Sequence, residues 1–445
     1  MSRRALLQRG ALLAGGAALA SVLQGCGAVL PTTNAPPAVS SGSAPTKLVL
    51  LDGANIDAPD MAPRKQVVTD FMAGNPDVKM DFRALPSNIQ WDRVARTTIL
   101  SGEQVDLVNI NGQFIRAWVR DGLLNDLSRD AQLTPAFGNV DPSFLSAQSD
   151  DAKHSFALPI THASPVHVTA FFYNKGLLDK AGLQAPKTLD DMQAMVQPLK
   201  SVGAVPFVHP SGDVGWNPLL VCWIQPMLVN NQPMEFTLRT LKGEVNYNGP
   251  EWIRTFETIA NLTKNGVLGA GSGALSVDGA YQLFNQGKAA MLYTGSWSLP
   301  ALAGSGIELH ATGLPLVGTA QKAHPIIAFN GYAIAEVSSN KDTALRWLKY
   351  VADPAVDAQL VEKLQAFSPM PASNSAIKDP IAREVAPWFA DGIVPLDWLW
   401  EPEVTTEIQN QVQGLVKGDT QPQAAADAVQ ARADALRREG RSYYK

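Results

Sequence analysis

The residues best suited to chemistry in this chain are tryptophans and short polar side chains that share the same stretches. Trp216, Trp297, Trp398 and Trp400 stand in segments that read as loops, and the chain holds ten tryptophans in all, more than a core of this size requires. An indole ring offers a flat apolar face, while amides, carboxylates and hydroxyls fix orientation through hydrogen bonds. Together they suit a polyhydroxylated solute, whose rings have weakly apolar C–H faces and polar edges. The candidate contacts are Asn55 after the first strand, Asn111 and Gln113 after the third, His162, Asp213 with Trp216, Trp297, Asn330, Trp398 and Trp400. Each tryptophan has a second reading as a packing residue in or between domains, because tryptophan is usually well buried. Both readings stay open here.

Catalytic patterns are weak by comparison. There is no Gly-x-Ser-x-Gly elbow and no His-Glu-x-x-His pair. Residues 269–274 mimic half of a dinucleotide fingerprint, but no strand precedes them, so a loop is expected. His162 and His167 are five apart with prolines nearby and lack acidic or cysteine partners, which favours structural or solute-contacting roles over metal ligation. Asp190 with Asp191, and Glu401 with Glu403, resemble a hydrolase's acid pairs. That chemistry needs two carboxyls about 5–10 Å apart across the substrate. Neither a metal nor a cofactor is expected.

The elements that must position these groups follow from periodicity. Residues 47–51 form an apolar strand, ending in the polar turn Asp52-Gly53-Ala54-Asn55. Helical spacing at 63–75, an alternating run at 78–82, a second helix at 91–100 and a strand at 105–108 follow. Strand, helix, strand, helix, strand is the pattern of a parallel sheet with crossover helices. Strands are also expected at 205–208 and 289–293, and helices at 251–265, 343–352, 404–416 and 422–439. Thr188 with Asp191 three residues on spells a capping box. Asn217 reads either as a cap for the helix starting at Pro218 or as part of the loop at 209–217. Gly287 is placed to end a helix, and the small apolar run after it delivers Ser296 and Trp297 to a strand's carboxyl end, where open α/β sheets bind ligands.

The composition is that of a globular chain, 46% hydrophobic and 17% charged over 445 residues. The first 25 residues read as an export signal: paired arginines precede an apolar run too short to span a membrane. The run ends in Leu-Gln-Gly-Cys (23–26), which resembles a lipobox, so Cys26 is the expected lipidation site and a membrane anchor. Removing residues 1–25 takes away three arginines and no acids, moving the formal charge from −5 to −8. An acidic product is a poor partner for nucleic acid. Residues 26–46, rich in Pro, Ser, Thr and Gly, read as a flexible tether. Only Cys222 remains beyond Cys26, which excludes a disulfide and suggests a buried, inert thiol.

An ordered set of motifs then carries a family resemblance. Gly-Lys-Ala-Ala-Met (287–291) followed by Gly-Ser-Trp (295–297) resembles the family 1 extracellular solute-binding proteins, the relatives of maltose-binding protein that feed sugars to ABC importers. So do Asn-Pro-Asp-Val (75–78), Ser-Gly-Glu (101–103) before Asp-Leu-Val (106–108), Phe-Ala-Leu-Pro (156–159), Tyr-Asn-Lys (173–175), Ala-Gly-Leu (181–183) and Gly-Tyr-Ala-Ile (331–334). Departures are Leu189 for a Trp, Asn330 for a Gly, and amides at 109–113 where relatives often carry an acid. The resemblance implies an α/β, two-lobe periplasmic-binding-protein-like (type II) fold with a hinge between lobes. Lobe 1 would comprise 47–158 and 329–367, and lobe 2 would comprise 159–328 and 368–445. It implies a non-catalytic, monomeric, exported protein that binds a carbohydrate, a di- or oligosaccharide, and partners ABC transporter permease subunits. The alternative is an exported lipoprotein enzyme acting on polysaccharide.

Overall fold

The computed structural model describes residues 44–55, 61–85, 91–146, 148–149, 153–229 and 232–442, without the side chains of 54, 55, 85 and 146. The expected signal, the lipobox with Cys26, all but the last residues of the tether, and the Asn55 side chain lie outside the described residues. Everything below concerns the compact unit that begins at Pro45.

Two five-stranded sheets organise this unit. The first begins with β1 (Thr46–Asn55), whose Leu48, Val49, Leu50 and Leu51 are all buried. β1 lies inside its sheet between β2 and β3, and side chains of both parities are covered. That removes the polar alternation a half-exposed strand would show. β2 (Val78–Leu85) and β3 (Leu107–Asn111) flank it in parallel, each reached through a crossover helix, α1 (Met61–Gly74) and α2 (Trp91–Leu100). α3 (Gly112–Arg120) follows β3 at once and buries Ile115 and Trp118, three apart on one face. The chain later returns to this sheet as β10 (Asn330–Ile334), antiparallel to β3, with β4 (Leu158–Pro159) on its outer side. The sheet is therefore mixed rather than parallel throughout. β1–β3 obey the crossover rule, whereas β4 leaves for the second lobe and β10 re-enters from it.

In the second sheet the order is β6 (Val205–Val208), β7 (Ala289–Gly295), β5 (His167–Asn174), β8 (Leu309–Thr312), with β9 (Ile327–Ala328) paired to the start of β5. β7 is buried along its whole length, as its run of small and apolar residues requires. Beneath it, Phe171 stacks on Tyr293 at 4.9 Å and packs against Phe207 and Trp223. Trp223 comes from the helix Pro218–Leu228, which is apolar on nearly every side and buried accordingly. The helices Pro402–Lys417 and Pro422–Arg438 form a hairpin turned by Gly418, whose φ of +82° suits glycine, and close this lobe against the helix Pro250–Lys264.

Three segments join the lobes. The first runs from β4 into β5 and the second is β9 leading to β10. The third passes Phe367, whose carbonyl accepts the Val166 N–H at 2.7 Å, and reaches Ile393, whose carbonyl accepts the Ile327 N–H at 2.8 Å. The segments are thus hydrogen-bonded to one another, and connecting segments of this kind are where hinge motion between lobes is absorbed.

Candidate functional site

A cleft of about 370 Å³ opens where the first sheet's strand ends meet the second lobe. Trp297 enters it from the single turn Ser296–Ser298 that follows β7. The tight turn depends on Gly295, since a Cβ there would lie 2.1 Å from the Trp297 ring. Trp216, from the turn Val214–Trp216, meets Trp297 edge to face at 5.7 Å, and His167 meets it from another side at 5.7 Å and 84°. Burial keeps the His167 imidazole neutral, holding its pKa at about 4.

Trp398 arrives from the turn Leu396–Trp398 and packs edge to face on Phe329 at 5.3 Å. It also lies flush against the start of α3, where a Cβ on Gly112 would fall 2.1 Å from the ring. Asn111, the last residue of β3, caps α3 by accepting the Gln113 N–H at 3.0 Å and donates through Nδ2 to Asn330 Oδ1 at 2.9 Å. Strand pairing fixes this contact, because Asn330 and Asn111 face each other in the register of β10 and β3. Asp397 supplies a carboxylate to the lining, and burial pushes its pKa up to about 6.

The cleft therefore gathers six of the expected residues, Asn111, Gln113, Trp216, Trp297, Asn330 and Trp398. Asn111 ends a strand and Gln113 begins a helix, where the sequence suggested a loop. Three of the expected residues lie outside this lining. His162 is buried away from the cleft; its Nδ1 meets the Tyr332 hydroxyl at 2.8 Å and its Nε2 the Arg64 carbonyl at 2.9 Å. Asp213 is exposed and spends its carboxylate on the N–H of Val277 at 2.8 Å, at the start of a helix. Trp400 is buried against Trp252 at 5.8 Å in the second lobe's core. Asn217 is buried without a capping bond, its Nδ2 donating to the Gln409 carbonyl at 2.8 Å.

Ser164 and Asp397 line the cleft and were missed, and His167, for which the sequence left structural and solute-contacting roles open, lines it too. Asp397 lies between two apolar-looking residues, Leu396 and Trp398, and nothing in the local pattern marks it. His167 is five residues from His162 on the same crossing segment, and only the path of that segment separates their roles.

His162 belongs instead to a buried polar network that fastens the first crossing segment to the first sheet. Arg64 of α1 donates to the Asp52 carboxylate and, through Nε, to the His162 carbonyl at 2.7 Å. Asn109 bridges Asp52 Oδ1 at 3.1 Å and the Ala163 carbonyl at 2.6 Å, and the Tyr332 hydroxyl donates to Asp52 Oδ2 at 3.1 Å. Burial and the neighbouring guanidinium hold the His162 pKa at about 3. A carboxylate with this many donors is satisfied, as a buried charge must be.

A second hollow, about 490 Å³, lies at the surface around Asp126, His154 and Glu336. Its carboxylates are already engaged, Asp126 with His154 and Arg129 at 2.8 Å each, Glu336 with Asn125 at 2.9 Å and Lys341 at 3.2 Å. It offers one aromatic ring, Phe156, so the smaller cleft is the better candidate. Among the described residues no three His, Cys, Asp or Glu converge as a metal site, and no helix is long and apolar enough to cross a membrane.

Comparison with known proteins agrees with this architecture. The bacterial extracellular solute-binding protein family matches residues 55–358. The multiple sugar-binding protein of Streptococcus mutans is 24% identical over 255 residues, 54% of this chain and 55% of that protein, so the match spans about half of that relative. The sn-glycerol-3-phosphate-binding periplasmic protein of Rhizobium meliloti is 28% identical over 183 residues, 39% of each chain. In three dimensions, a family 1 extracellular solute-binding protein from Bifidobacterium longum subsp. infantis superposes with a TM-score of 0.71 at 22% identity, covering 88% of this chain and all of that one.

Proposed function

This chain belongs to the bacterial extracellular solute-binding protein family, and from that premise we propose that it captures a carbohydrate between its lobes and delivers it to the permease subunits of an ABC importer. The observation that carries the carbohydrate reading is the convergence of three half-buried indoles, Trp216, Trp297 and Trp398, with the amides of Asn111, Gln113 and Asn330 in one cleft. Indoles cover the C–H faces of sugar rings, and amides pair with their hydroxyl edges. One relative is named for binding sugars, and another for binding glycerol phosphate, a small phosphorylated polyol. A cleft with three aromatic plates suits a di- or oligosaccharide.

Binding is non-catalytic in this reading. Glycoside hydrolysis requires two carboxyls across the bond, and the described cleft lining contains one, Asp397. The suspected pairs lie elsewhere: Asp191 closes the Thr188 capping box, Glu401 accepts from Ser442 at 2.8 Å, and Glu403 pairs with Arg441. The protein acts as an exported monomer held at the membrane by lipid on Cys26. Closure around solute is the signal, because only a ligand with higher affinity for the closed arrangement shifts the population towards it.

Thermal denaturation against mono-, di- and oligosaccharides, polyols and amino acids tests the proposal. A carbohydrate is expected to raise the midpoint in proportion to the logarithm of its concentration, and Trp297→Ala is expected to abolish the rise. A panel in which only an amino acid or peptide stabilises would overturn the carbohydrate reading. Recovery of cleaved glycan from the same samples would overturn the non-catalytic one.

A further inference from the structure

The charge balance of the cleft narrows the solute further. Among the described residues its lining contains no lysine and no arginine, and its one formally charged side chain is Asp397. No cation reaches that carboxylate among the described residues. Its one side-chain contact is the Cys222 thiol, 3.9 Å from Oδ1, a weak donor whose own pKa burial raises. The other titratable groups nearby carry no positive charge. The Tyr293 phenol behind Cys222 is held protonated by burial, and the His167 imidazole on the cleft wall is neutral. Two buried carboxylates of the first lobe are well supplied with donors, Asp52 by Arg64, Asn109 and Tyr332, and Asp106 by the Ser338 hydroxyl and the Val49 N–H. Asp397 differs from these in lining the cleft, an anion with no cation against it among the described residues, beside three indole rings.

We propose that the solute is an amine-bearing sugar, with its ammonium group accepted by Asp397 and its ring faces packed on Trp216, Trp297 and Trp398. This rests on the carbohydrate reading above. When the lobes close, water is expelled from around Asp397, and an unpaired carboxylate in that position is penalised. A neutral hydroxyl supplies a hydrogen bond and leaves the charge uncompensated. An ammonium supplies a charge-assisted bond and is attracted to indole faces as well. An anionic sugar, such as a phosphorylated one, sets like charge against Asp397 with no lysine or arginine in the described lining to offset it. By this argument the chain differs in specificity from its glycerol-phosphate-binding relative.

Isothermal titration of the purified protein at pH 7 with matched sugars tests the proposal. The pairs are glucosamine and glucose, galactosamine and galactose, chitosan and cello-oligosaccharides of two to four rings, with glucose 6-phosphate, choline and spermidine as further probes. The best amine-bearing sugar is expected to bind at least about tenfold more tightly than its neutral partner, a difference of about 1.4 kcal/mol. Asp397→Asn is expected to bring that ratio to within about twofold, and Asp397→Glu to retain most of it. Melting curves on both variants establish that they fold. If a neutral sugar binds most tightly and Asp397→Asn leaves its affinity unchanged, the amine assignment is overturned while the carbohydrate reading stands. Glucose 6-phosphate as the tightest ligand does the same. If choline or spermidine binds and no sugar does, or if nothing in the panel binds, both readings fall.

Discussion

Residue by residue, the cleft is built from contacts that leave little room for substitution. Gly112 is the clearest case, because Trp398 occupies the space its side chain would fill. Gly112→Ala must displace the indole or the start of α3, an overpacking of about 1–3 kcal/mol. The expected result is a lower melting temperature and weaker solute binding. Because the two residues touch, adding Trp398→Ala should cost less than the sum of the single changes. Additive effects in that cycle would show that the contact is not tight. Asp397 makes the opposite kind of prediction. Its pKa is raised from 3.8 to about 6, so the native carboxyl holds its proton more firmly than the unfolded chain does. The penalty is absent below pH 3.8, grows through pH 6 and is constant above it, reaching about 3 kcal/mol for a shift of about 2 units. In the solute-free protein, Asp397→Asn should therefore raise stability at pH 7.5 and have little effect near pH 4. Equal urea midpoints for the two proteins at pH 7.5 would contradict the burial argument.

At the scale of elements, the network around Arg64 decides how the first crossing segment sits on the first sheet. One guanidinium joins α1 to the Asp52 carboxylate of β1 and to the carbonyls of His162 and Ala163 on the crossing segment. Replacing it with methionine keeps much of the side chain's volume and removes the charge that neutralises Asp52. Breaking a buried pair from one side costs about 3–5 kcal/mol, and Arg64→Met should lose that much in chemical denaturation. Arg64→Lys should recover only part of it, since an ammonium cannot reproduce the planar fork that reaches both carboxylate and carbonyl. A loss below about 1 kcal/mol for Arg64→Met would mean that the network is not what fixes this segment.

Over the whole molecule, buried histidines set the response to acid. His162 and His209 are held at about 3 and His167 at about 4, all mainly by burial, against 6.5 in an unfolded chain. Each stays neutral in the native state, and the unfolded chain binds the extra protons, so stability is complete above pH 6.5 and falls as the pH drops through that value. Asp397 works the other way between pH 6 and 4, but one carboxylate is outweighed by three imidazoles. The net expectation is a loss of about 3 kcal/mol between pH 7.5 and pH 5.5. Urea denaturation across that range checks it, and a flat or rising midpoint would exclude three neutral buried histidines.

Much of this was legible in the chain itself. Continuous apolar runs fixed β1 and β7, helical spacing found α2 to the residue, and Thr188 with Asp191 formed the capping box their spacing spells. These are local properties, set by burial period and by hydrogen bonds within a few residues. Sequence order also identified the family and brought Trp216 and Trp297 forward, because residues just after strands fall at one edge of an α/β sheet. What remained hidden depends on partners far away in the chain. The return of β10 against β3, which sets Asn330 beside Asn111, spans 219 residues. Trp398 and Trp400 are two apart and equally aromatic, yet one turns into the cleft and the other into the core. His162 and His167 part in the same way, and nothing in the local pattern shows that Asp397 meets no cation among the described residues. Charge balance and the direction of a side chain are settled by which surfaces the lobes bring together, and only the tertiary structure decides that.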